Sequence, residues 1–129
     1  MSEPKKTPLV EFRTCGILTE KGVAVTEQSS IDQLTSRGYG TLEDKTLTLA
    51  FFEALYLQDK AMLEVKNQDG EAVGFQTVLH SYEAQNENAW VNYLVYRDLR
   101  SRGYVVREGF GAGIDFRIFQ KEKAAYSSF

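Results

Sequence analysis

The densest apolar stretch of the chain is Leu47, Leu49, Phe51, Phe52, Leu55 and Tyr56, in which Phe51 with Leu55 and Phe52 with Tyr56 are helical neighbours. This pattern predicts a buried helix. Upstream, Pro4 and Pro8 hold the first residues extended, and Leu9-Val10-Glu11-Phe12-Arg13 alternates weakly, as a half-buried strand does. Gly16 and Gly22 bracket Ile17 to Lys21, and the β-branched Val23-Ala24-Val25-Thr26 predicts another short strand, antiparallel to its neighbours. Ser29 and Ser30 are candidate caps for a short helix from Ile31 to Arg37, with Gly38 suited to the left-handed position that ends it and Gly40 reopening the chain. Ala61 to Lys66, the Asn67-Gln68-Asp69-Gly70 turn and Glu71 to Gly74 predict a hairpin, and Phe75 to about Glu83 a further helix.

A second pattern begins after Gln85-Asn86-Glu87-Asn88, where Asn86 or Asn88 can cap a helix starting beside Trp90. Trp90, Tyr93 and Leu94 share one face of it, Val91, Val95 and Leu99 another, and Gly103 stops it. Tyr104-Val105-Val106-Arg107 reads as a strand, the segment from Gly109 to Gly113 as a loop, and Ile114 to Gln120 as a strand of strict alternation. On that last strand Ile114, Phe116 and Ile118 fall on one face, and Asp115, Arg117 and Phe119 on the other. A large aromatic thus shares its face with two charges. The whole predicts an α+β chain: a small N-terminal lobe over residues 1–85, of short antiparallel strands and helices, then a helix-strand-strand unit over 86–129.

Composition narrows the class. Hydrophobic residues make 43% and charged residues 26% of the 129 positions, the balance of a folded domain. Neither a membrane-length apolar run nor a signal peptide is visible, so an intracellular, cytoplasmic protein is expected. The single Cys15 excludes an intrachain disulfide and a cysteine metal cluster, and is expected to pack as a small core residue. A formal charge of −3 argues against holding nucleic acid by bulk charge, so any RNA contact must be local. Arg97, Arg100, Arg102, Arg107 and Arg117 cluster in a way that suits either phosphate contact or a solvated helix face. The spaced glycines 109, 111 and 113 lack the third-glycine spacing and the following helix of a nucleotide-binding loop.

The order Tyr96-Arg97-Asp98-Leu99-Arg100-Ser101-Arg102-Gly103, then Tyr104-Val105-Val106, then Gly113-Ile114-Asp115-Phe116-Arg117-Ile118-Phe119 resembles the tRNA-splicing endonuclease family, especially its archaeal members. Gly38-Tyr39-Gly40 and Phe52-Glu53-Ala54-Leu55-Tyr56-Leu57 resemble that family's N-terminal lobe. The resemblance implies an endonuclease-like C-terminal lobe and metal-independent, cofactor-free cleavage at an intron boundary. The RNA's own 2′-hydroxyl attacks, leaving a 2′,3′-cyclic phosphate and a 5′-hydroxyl. Such a reaction requires a base, an acid and a cation for the phosphorane, and the family uses tyrosine, histidine and lysine.

Carried over by position, the family's catalytic tyrosine falls on Phe119, which keeps the ring and lacks the ionisable hydroxyl. Lys123 stands near the histidine position, and the lysine position falls beyond Phe129. The usual Lys-Phe pair before the motif glycine is Gly111-Ala112. No catalytic residue is therefore assigned, no metal ligand is expected, and loss of even one positioned acid–base group costs about 10²–10⁴ in rate. His80, on a predicted N-terminal-lobe helix, is read as structural or exposed. Arg107 and Arg117 are the RNA-binding candidates.

The resemblance thus implies a non-catalytic structural unit that scaffolds a catalytic endonuclease unit on precursor tRNA, with another segment completing its C-terminal lobe. Two alternatives stay open. The chain is part of a catalytic centre completed by histidine and lysine from another polypeptide, or it is a free-standing RNA- or protein-binding module.

Overall fold

The computed structural model describes residues 13–108 and 116–121, the last six together with Arg107 and Glu108 by their backbone course. The expected strand over Leu9 to Phe12, the loop from Gly109 to Gly113 and Lys123 lie outside the described residues. The architecture is α+β. Strands β1 (Thr14–Thr19), β2 (Gly22–Val25), β3 (Thr41–Glu43), β4 (Thr46–Leu49), β5 (Leu63–Lys66) and β6 (Ala72–Val73) form one sheet in the order β3-β4-β2-β1-β5-β6. All neighbours are antiparallel except β1 and β5, which run parallel with Thr14 opposite Leu63 and Ile17 opposite Lys66.

Four helices are described: α1 (Gln28–Ser36), α2 (Phe51–Asp59), α3 (Phe75–Glu83) and α4 (Ala89–Ser101). Helix α1 starts earlier than its serines suggest. Glu27 is the N-cap, and Ser29 and Ser30 lie in the first turn, donating their hydroxyls to the Glu27 carboxylate. Ser30 is buried and also accepts a 2.6 Å hydrogen bond from Thr14 of β1, which explains why a serine sits in the interior. The helix ends as expected at Gly38, whose φ of +85° lets its N–H reach the Thr35 carbonyl while Tyr39 N–H reaches that of Leu34.

The dense apolar stretch divides where the sequence pattern did not. Leu47 and Leu49 belong to β4, paired with Val25 and Val23, and only from Phe51 does the chain turn helical. A two-residue turn at Asp44 and Lys45 joins β3 to β4, Asp44 adopting φ 57°. Every side chain from Phe51 to Leu57 is buried because α2 packs on β2, β4 and β5 and is covered by α3 and α4. Cys15 is exposed, against expectation, since the alternation of β1 turns Thr14 and Gly16 inward instead.

Helix α4 closes the core. Ala89, Tyr93 and Tyr96 are buried with Phe51, Phe52, Tyr56 and Tyr82, and the ring of Tyr96 meets Phe52 at 4.7 Å and Tyr56 edge-on at 5.7 Å. A fully buried side chain of this size contributes about 1.5–3 kcal/mol relative to exposure, so this helix is bound into the same core as α2. Gly103, with φ +93°, ends α4 as expected, and β7 (Tyr104–Glu108) pairs antiparallel with β8 (Phe116–Lys121).

Candidate functional site

The β7–β8 ladder carries the positions singled out in the sequence. Its register places Phe119 opposite Val105, Ile118 opposite Val106 and Arg117 opposite Arg107, with an irregularity between Tyr104 and Val105. The two RNA-binding candidates are therefore direct cross-strand partners. Val106 is fully buried and Val105 half-buried. Val105 rests on Gly38, where an added Cβ would come 2.9 Å from a valine methyl and 3.2 Å from the Arg100 guanidinium. Absence of a side chain at Gly38 thus lets the ladder and the end of α4 approach the α1–β3 connection.

Beneath that contact lies a polar seam. Glu53, 3% exposed in the middle of apolar α2, accepts the backbone N–H of Gly40 at 3.0 Å and of Ala50 at 2.8 Å. The second bond is half of a capping box; Ala50 has no side chain to return it. Arg100 lays its guanidinium 4.0 Å over the Tyr39 ring and donates to the Tyr96 hydroxyl at 3.2 Å and to the Arg37 carbonyl at 2.8 Å. Burial pushes the Tyr39 hydroxyl up to about 12, with Arg100 opposing and Tyr56 and Glu53 adding to the rise. Burial, then the Glu53 charge, also holds Tyr96 well above the ordinary tyrosine range. Both hydroxyls stay protonated at neutral pH, which suits hydrogen bonding and disqualifies them as bases.

The arginine cluster separates into roles. Arg97 lies 5.8 Å from the Tyr93 ring, Arg100 belongs to the seam, and Arg102 pairs with Asp98 at 3.2 Å on the exposed face of α4. An exposed pair of that kind contributes little. His80 is exposed on α3, 4.0 Å from Glu83. Among the described residues no three of His, Cys, Asp and Glu gather to hold a metal ion. Sequence reasoning missed the seam, although a lone carboxylate inside the apolar run from Phe51 to Leu57 was its visible signal.

Comparison with known proteins decides the family. Residues 15–79 match the family model described as tRNA intron endonuclease, N-terminal domain, and residues 89–128 the one described as its catalytic C-terminal domain. The chain belongs to the tRNA intron endonuclease family. It is 31% identical over 121 residues to a tRNA-splicing endonuclease of Methanococcus vannielii, covering 94% of this chain and 65% of that protein. It is 38% identical over 95 residues to one of Pyrococcus furiosus, covering 73% and 55%, and 39% identical over 82 residues to one of Hyperthermus butylicus, covering 64% and 45%. The chain thus spans about half to two-thirds of these relatives' length.

Proposed function

We propose that this chain is a non-catalytic structural unit of a tRNA-splicing endonuclease that removes introns from precursor tRNA, leaving 2′,3′-cyclic phosphate and 5′-hydroxyl ends. One observation carries the reading: position 119, where the family's pattern has its catalytic tyrosine, is phenylalanine. Lys123 in place of the family's histidine supports it. The unit scaffolds a catalytic unit and the splice-site geometry in the cytoplasm.

A partner segment is part of the proposal. Trp90, Val91 and Val95 are 43%, 58% and 42% exposed on α4, while the helix's opposite face is locked into the core. A helix apolar around most of its first two turns is normally covered. The row Val91, Val95 and Leu99 supports a covering polypeptide that completes the C-terminal lobe, since Leu99 at its end already packs against the core. Arg107 and Arg117 are the proposed RNA contacts. They stand at paired positions of the β7–β8 ladder.

The experiment is cleavage of an intron-containing precursor tRNA by the purified chain, alone and mixed with a polypeptide carrying the family's tyrosine, histidine and lysine. Cleavage is expected only in the mixture, with both polypeptides in one complex by native mass. Cleavage by the chain alone contradicts the proposal.

A further inference from the structure

We infer that Arg100 is a positioning residue: an inter-lobe latch that seats the β7–β8 ladder on the end of α1. The guanidinium has contacts on three sides. Its plane stacks on Tyr39, one nitrogen donates to the Arg37 carbonyl, and another donates to the Tyr96 hydroxyl one turn back on its own helix. Tyr96 thereby aims the side chain, and Tyr39 and Arg37 receive it from the other lobe.

The Arg37 carbonyl is no arbitrary acceptor. Arg37 is the C-cap of α1, where the last carbonyls lack helical partners and the helix dipole is negative. Arg100 itself stands in the last turn of α4, so one cation lies at the negative ends of two helices from different parts of the chain. The Tyr96 hydroxyl, as an acceptor, the Tyr39 ring and the Glu53 carboxylate surround it. Burial works against the charged guanidinium, and these groups together more than offset it, holding its proton more tightly than in a free arginine. Lysine cannot reproduce a stacked face with two fixed donors.

The receiving seat is built to match. Tyr39 is held by its N–H bond to Leu34, Gly40 by Glu53, and Gly38 leaves the space that Val105 and Arg100 occupy. Val105 is the ladder partner of Phe119. The latch therefore governs where the strand bearing position 119 stands relative to the six-stranded sheet. It does not depend on whether the chain is catalytic.

Amide hydrogen exchange on the full chain tests this by comparing two groups of amides. In Arg100→Met, protection at Val105 and Val106 is expected to fall at least tenfold while that at Gly16, Val23 and Val65 stays within about twofold, since local opening is separable from global unfolding. Arg100→Lys should fall between Met and the native chain. Tyr39→Leu should reproduce the selective loss, and the double variant should lose little more than either single one. Equal loss in both groups would make Arg100 a general stabiliser and overturn the inference, as would unchanged protection in β7. If Arg100→Met does not fold, the same comparison in Arg100→Lys decides.

Discussion

Replacing Glu53 by glutamine changes one oxygen to an NH2 group inside a site where the N–H groups of Gly40 and Ala50 both donate to the carboxylate. One acceptor cannot serve two donors placed at separate oxygens. The amide keeps one bond and sets a donor against the other N–H, and a buried donor left without its acceptor costs about 1–3 kcal/mol. Alanine removes both acceptors and one methylene as well, for a sum of roughly 3–7 kcal/mol. Since a domain of this kind is stable by about 5–15 kcal/mol, the glutamine variant should fold and the alanine variant stand near the threshold. Urea unfolding followed by far-UV circular dichroism and by Trp90 fluorescence gives the number.

A second reading comes from the same variant. The Glu53 charge raises both Tyr39 and Tyr96, so its removal should bring phenolate absorbance on at lower pH. The two readouts share a cause and no assay. Should Glu53→Gln stay within about 0.5 kcal/mol of the native chain, the range of a neutral surface change, and leave tyrosine ionisation where it was, the seam does not hold the α1–β3 connection.

Two further outcomes are expected. With Tyr39 raised from 10.0 to about 12, the unfolded chain loses this proton first, so stability is whole below pH 10 and declines between pH 10 and pH 12. Tyr39 contributes a slope of up to about 1.4 kcal/mol per pH unit, and Tyr39→Phe should make the fall of the urea midpoint across that window less steep, the part due to Tyr96 remaining. Serine at both Val91 and Val95 should leave the isolated chain within about 0.5 kcal/mol of its native stability, the sites being exposed. The same double variant should weaken association with the completing polypeptide by at least tenfold in sedimentation analysis.

How much of this was legible in the sequence follows from the range over which each signal acts. Helix α1's end at Gly38, the stop of α4 at Gly103 and the turn at Asn67 to Gly70 are local backbone requirements, legible from the residues at those positions alone. A short apolar run such as the one holding Leu47 and Leu49 suits a strand and a buried helix alike; pairing with β2 decides, and pairing is not local. The parallel register of β1 with β5 joins segments separated by three strands and two helices, and no alternation pattern encodes it. At the site, the motif order from Tyr96 to Phe119 marked the right region. It left Arg100 among surface cations, because its acceptor at Arg37 lies 63 residues away and is a backbone carbonyl, invisible to side-chain patterns.

The central proposal is that position 119 contributes no proton transfer. Cleavage of precursor tRNA by the assembled complex should be compared between the native chain and Phe119→Tyr. Equal rates are expected, because the catalytic groups belong to the partner unit. A gain of about 10²-fold or more on restoring the hydroxyl, the scale of one acid–base group, would show that this chain completes a catalytic centre and would contradict the structural role.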